Sequence, residues 1–189
     1  MRNFHRTLQG VNTIPLLHAI VRQPELWNQN TFRTKYTGTP HGDVDDIWLR
    51  FSDVDKVKDL TDVSQVIDDP GSVWYPAVAK LPQAKALVLD LMRLVDGHQL
   101  ERLLVTRMKP GSKIARHADA GGVYVEQGNI GRYHVVLQGL PGSMFICGNE
   151  QVCMLTGEVW WFNAHQEHEV INNSADDRIH LLMDVKYWP

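Results

Sequence analysis

Short extended runs separated by turns dominate the chain from Gln99 onward. LLVTRM (103–108) stops at Pro110-Gly111, and KIARH (113–117) follows. RYHVVLQ (132–138) stops at Pro141-Gly142, and SMFIC (143–147) at Gly148-Asn149. EVWWF (158–162) starts after Gly157, and RIHLLMDVKYW (178–188) lies near the end. Runs of this length bounded by Gly, Pro and Asn predict the strands of a sandwich or barrel. Before Gln99 the pattern is mixed. Ile14 to Trp27 carries apolar residues at helical spacing (Leu16, Leu17, Ile20, Val21, Leu26), and DDIWLRF (45–51) reads as a strand. Leu81 to Val95 is the clearest helix, with Leu87, Leu89, Leu91, Met92 and Leu94, and it stops near Gly97. The expected architecture is one domain over 1–189. A mixed helical and strand part fills 1–100, and a mainly β, jelly-roll-like double sheet fills 101–189, with helices packed outside it.

Two of the strands carry an ambiguity. In RYHVVLQ, Arg132, His134 and Val136 share a face opposite Tyr133, Val135 and Leu137. In RIHLLMDV, Arg178, His180, Leu182 and Asp184 oppose Ile179, Leu181, Met183 and Val185. Alternation alone fits a solvent-facing polar side. It fits equally well a ligand-filled interior lined by that side.

Composition narrows the class. With 189 residues, 43% hydrophobic and 22% charged, the chain has the makings of a folded globular protein rather than a disordered one. The formal charge of −3 comes without a dense Lys/Arg stripe, so neither nucleic acid nor a membrane surface is an expected partner. Cys147 and Cys153 are the two cysteines, too few for a disulfide framework or a four-cysteine zinc site. They read as ordinary thiols. The MRNFHRTLQG start lacks the apolar core of a signal peptide, and no apolar run approaches the ~20 residues of a membrane span. The expectation is a soluble, cytoplasmic protein.

Histidine and acidic residues supply the candidate chemistry. With nine histidines and 22 acidic residues, about one His-x-Asp/Glu triplet is expected by chance. The chain has three: His41-Gly42-Asp43, His117-Ala118-Asp119 and His165-Gln166-Glu167. Context favours the second. It follows a Pro-Gly turn and a short strand, and residues at i and i+2 of a strand point to one side. A non-haem iron(II) oxygenase needs two imidazoles and one carboxylate on one face of the metal, leaving the other face open. His168, in WWFNAHQEHEVINN, fits as the distant second imidazole. Arg178, ten residues later at the start of the next strand, suits a carboxylate-bearing co-substrate, because its planar fork pairs with two oxygens.

The ordered motifs MKPGSKIARHAD, RYHVVLQG, MFICGNE and LTGEVWWFNAHQEHEVINNSADDRIHLLMDV together resemble the aspartyl/asparaginyl β-hydroxylase family, which also includes bacterial free-proline hydroxylases. The resemblance covers roughly residues 103–187. It implies a double-stranded β-helix and an enzyme, a dioxygenase that uses Fe(II), 2-oxoglutarate and molecular oxygen. It implies hydroxylation of an amino-acid side chain, in a protein or in a free amino acid, with succinate and CO2 as co-products. It maps the metal to His117, Asp119 and His168, and the co-substrate to Arg178, Arg132 and His134. The Arg/His faces would then line the interior. Some family members lack the metal carboxylate; this chain has Asp119, so a full set of three ligands is available.

The N-terminal half matches these motifs poorly. There, His41, Trp48 and Arg50 are candidate substrate contacts at the barrel mouth, and His165 is a further one rather than a metal ligand. The glycine-rich loop from Ala120 to Gly131 is a candidate lid. A rival reading is a non-catalytic, cupin-like metal or small-molecule binding module. Arg178 separates the two, since a mere metal binder needs no co-substrate anchor.

Overall fold

A computed structural model describes residues 1–56, 71–119 and 129–188. Eleven strands are present among them. They are β1 (Phe4–Leu8), β2 (Val44–Ser52), β3 (Ser72–Trp74), β4 (Gln99–Met108), β5 (Lys113–His117) and β6 (Ile130–Gln138). The rest are β7 (Ser143–Cys147), β8 (Glu150–Val152), β9 (Val159–Phe162), β10 (His168–Asn172) and β11 (Arg178–Lys186). The strands form a seven-stranded sheet in the order β1-β9-β6-β11-β4-β2-β3 and a four-stranded sheet in the order β5-β10-β7-β8. Every pairing is antiparallel. From β4 to β11 the chain passes back and forth between the two sheets, which is a double-stranded β-helix. The strands β1, β2 and β3 of the N-terminal half extend the larger sheet at both ends.

The sequence boundaries mostly hold, and the departures have local causes. The helical spacing over Ile14 to Trp27 gives only α1 (Ile14–Val21), then a separate 3-10 turn over Pro24–Leu26. Pro24 lacks an N–H and disfavours helical backbone at Gln23, so the helix cannot run through. A short α2 (Phe32–Lys35) follows. Beyond β3 come α3 (Ala77–Lys80) and α4 (Pro82–Leu94). The buried face of α4 is Ala84, Val88 and Leu91, spaced four and three apart; Leu89 and Leu94 are exposed at 54% and 53%.

The larger sheet is covered on both sides. Leu16 and Ile20 of α1 and Val88 and Leu91 of α4 pack onto Tyr133, Val135, Leu181, Met183 and Val185. The opposite face looks into the space between the sheets. There Val136, Phe145, Trp160, Phe162 and Val170 form a second apolar cluster. His134, Arg178, His180 and Asp184 are buried on that same inner face, the most exposed at 5%. The polar side of the alternating strands is therefore interior. Trp160 packs inside, and its neighbour Trp161 packs on the helix side. Cys147 is buried and Cys153 partly so; both are free thiols. Among the described residues no helix is long and apolar enough to cross a membrane.

Candidate active site

Two imidazoles meet because two strand ends meet. His117 is the last residue of β5, His168 is the first of β10, and the two are direct partners across the ladder. Their ring centroids lie 4.3 Å apart. Each ring is fixed by its own strand. The Nδ1 of His117 is 2.8 Å from the Ala115 carbonyl, and that of His168 is 2.9 Å from the Gln166 carbonyl. A carbonyl only accepts, so Nδ1–H donates and each ring turns its Nε2 to the site. The Nε2 of His117 is buried and has no hydrogen-bond partner.

Asp119 completes the cluster. Its backbone N–H donates to the Ala164 carbonyl at 3.0 Å, which holds it beside the strand ends. Its Oδ1 is 3.5 Å from His117 Nε2, and its Oδ2 is 3.8 Å from His168 Nε2. The three candidate ligand atoms lie within 4.8 Å of one another, and no other such group of His, Cys, Asp and Glu occurs among the described residues. Burial opposes charge on Asp119. The Arg132 guanidinium and the two imidazoles outweigh it, so the carboxyl stays ionised far below the usual carboxylate range. Burial lowers the His168 pKa, with Asp119 only partly offsetting it. The cluster therefore brings an ionised carboxylate together with two imidazoles whose Nε2 atoms face it, the donor set that suits a divalent metal.

Arg178 begins β11 opposite Met108. Its Nη1 lies 3.7 Å from Met108 Sδ, and its guanidinium carbon is 5.9 Å from the Phe145 ring centre. Its Nη2 is buried without a partner, and no carboxylate among the described residues pairs with it. Burial pushes this guanidinium down to about 9. A fully buried cation with an orphaned donor carries a desolvation cost that a paired anion would offset. Phe145 also lies 5.9 Å from His168, so a single aromatic ring neighbours both Arg178 and His168. His134 packs on Phe145 and Phe162, with its Nδ1 3.1 Å from His180 Nδ1. Burial holds both imidazoles well below their ordinary pKa, and the Nε2 of each lacks a partner.

Arg132, expected beside the co-substrate, is ion-paired with Asp119 and Asp184. The candidate substrate contacts also divide. A cavity of about 310 Å³ opens over the cluster and is lined by His41, His165, Phe51, Leu104 and Leu182 among others. His41 meets the His117 ring edge-on, with centroids 5.0 Å apart. Trp48 and Arg50 do not line it. A register shift between them in β2 breaks the alternation. Trp48 packs on Phe51 and Tyr75, while Arg50 Nε–H donates to the Leu100 carbonyl and stacks over Trp74. Phe51 takes the cavity position instead. In the candidate lid, residues 120–128 lie outside the described residues. Strand reasoning placed Asp184 on the polar face of β11 but gave it no role. Only the pairing of β6 with β11 sets it opposite Arg132.

A model of the aspartyl/asparaginyl β-hydroxylase family matches residues 56–187, a longer stretch than the motifs alone cover. Among solved structures, an oxidoreductase of the 2OG-Fe(II) oxygenase family from Burkholderia pseudomallei is similar at TM-score 0.54 and 14% identity, over 89% of this chain and 78% of that one. A prolyl-4-hydroxylase from Pseudomonas putida is similar at TM-score 0.52 and 14% identity, over 100% of this chain and 95% of that one. At such identity the likeness is one of fold. No curated protein matches the sequence.

Proposed function

This chain belongs to the aspartyl/asparaginyl β-hydroxylase family, and from that premise we propose that it hydroxylates a C–H bond of an amino-acid side chain, free or within a protein. The family makes it a 2-oxoglutarate-dependent dioxygenase. In this reading His117, Asp119 and His168 hold Fe(II), and Arg178 binds the far carboxylate of 2-oxoglutarate with His134 beside it. The single observation that carries the reading is the pairing of a metal-ready cluster with a buried guanidinium that lacks an anion. A metal-binding module without turnover has no use for the second feature.

Iron with 2-oxoglutarate and oxygen supplies the oxidising power, with succinate and CO2 as co-products. The protein's part is positional. The two Nδ1–H donors fix the imidazoles so that no rotation is needed when metal enters. Phe145, Phe162 and the neighbouring apolar residues keep water from the inner end. The cavity over the cluster, with His41 and His165 on its wall, receives the side chain to be hydroxylated.

The test is an anaerobic visible spectrum of the protein with Fe(II), before and after 2-oxoglutarate. Chelation of the keto acid to iron produces a weak charge-transfer band. The band is expected in the native protein and absent in Asp119→Ala and His168→Ala. Bound metal without a band would remove the oxygenase assignment from this site.

A further inference from the structure

We infer that Asp184 is a positioning residue for the metal centre: it clamps Arg132, and Arg132 holds one oxygen of Asp119, so the carboxylate is aimed before any metal enters. The inference rests on the metal reading of His117, Asp119 and His168. It concerns residues that touch the metal only through Asp119.

The clamp follows from strand register. Arg132 of β6 and Asp184 of β11 are direct partners across the antiparallel ladder, and both point between the sheets. The Arg132 Nε–H donates to Asp184 Oδ1 at 2.6 Å, and its Nη2–H donates to Asp184 Oδ2 at 2.8 Å. This two-pronged contact fixes the plane of the guanidinium. The remaining nitrogen, Nη1, donates to Asp119 Oδ2. That leaves Oδ1, the oxygen nearer His117 Nε2, to face the metal. A carboxylate held by one oxygen gives a metal the other, which keeps further coordination positions free for co-substrate and oxygen.

Charge explains why a second carboxylate is there at all. Asp119 alone already neutralises Arg132. Once a divalent cation shares Asp119, the charge of that carboxylate is divided between the metal and Arg132. Asp184 has a side chain only 2% exposed. It keeps Arg132 paired in both states, and it makes the Asp119–Arg132–Asp184 group net negative rather than neutral. Replacing Asp184 by a neutral isostere should therefore loosen the aim of Asp119 and also repel the incoming cation.

The experiment is Co(II) titration of the full chain, read by its visible d–d spectrum, for native protein, Asp184→Asn and Met183→Leu. Met183 lies on the opposite, helix-packed face of β11, so its variant controls for general loosening of the strand. Asp184→Asn is expected to weaken Co(II) binding 10–100-fold, the usual range for partners of a metal ligand, and to change the spectrum. Met183→Leu should do neither. If Asp184→Asn does not fold, Arg132→Lys takes its place. It keeps a charge near Asp119 but cannot fork onto Asp184, and the same weakening is expected. Native-like affinity and spectrum in the folded variant would overturn the clamp while leaving the metal centre standing. Failure of the native protein to bind Co(II) would overturn both.

Discussion

Replacing Arg178 with methionine should make the empty protein more stable and the liganded protein weaker. Arg178 is fully buried against Met108 and Phe145, with Nη2 unsatisfied. Burial pushes it down to about 9. At about 1.36 kcal/mol per tenfold change in proton affinity, that represents a cost on the order of 5 kcal/mol for keeping the charge inside. Methionine fills much of the same volume without charge, and apolar replacements of buried charges return about 1–4 kcal/mol. For a chain of this size the melting temperature should rise by roughly 2–16 °C. The anion should show the opposite effect. Removing one partner of a buried charge pair costs about 3–5 kcal/mol, so 2-oxoglutarate binding should weaken by at least ~100-fold. The assay is a thermal melt with and without 2-oxoglutarate in the presence of Mn(II). Native protein at about a hundred times the dissociation constant should gain about 2.7 kcal/mol, and Arg178→Met should gain almost nothing. A variant that melts lower when empty, or that is stabilised by 2-oxoglutarate as the native protein is, refutes the idea that this cation is held in reserve for an anion.

Acid should unfold the protein steeply. Burial holds His41, His134 and His180 well below their ordinary pKa, so the unfolded chain takes up protons below about pH 6.5 that the folded chain refuses. More protons on the unfolded side means that stability is lost as the pH is lowered, by up to ~4 kcal/mol per unit for three groups. Urea titrations between pH 7.5 and 5.5 test this, and a flat profile would contradict it. Gly139→Ala should cost about 1–3 kcal/mol, because a Cβ there would stand 2.4 Å from the Met154 carbonyl oxygen and 2.7 Å from Val136. Gly42→Ala, with nothing within 4 Å, should leave the melting temperature unchanged.

The C-terminal strands were readable because turns punctuate them and each alternates cleanly. The meeting of His117 and His168 was readable for the same reason: a strand end at each need only lie side by side. Alternation could not say which face of β6 and β11 points inward. That depends on helices α1 and α4, which cover the apolar face and turn the sheet's polar side into an interior. Trp48 and Arg50 were misjudged because a bulge resets the alternation in mid-strand, and a bulge leaves no mark in residue type here. β1 and β3 went unseen; they are short and gain their definition from the strands they pair with. Arg132 illustrates the limit of motif reasoning. Its residue type signals an anion, but which anion depends on the register between β6 and β11, fixed by contacts 52 positions apart.

The division of labour between the two sheets has its own consequence. His117 and His168 belong to the four-stranded sheet, while Arg178, His134, Arg132 and Asp184 belong to the seven-stranded one. A molecule that chelates the metal at one end and pairs with Arg178 at the other is thus a rivet through both layers. Filling the site should slow amide exchange in β5 and β10 as much as in β11, although among the described residues no backbone ladder joins a strand of the one sheet to a strand of the other. In the proposed reaction the two sheets are then tied most tightly while the co-substrate is bound, and its departure releases that tie.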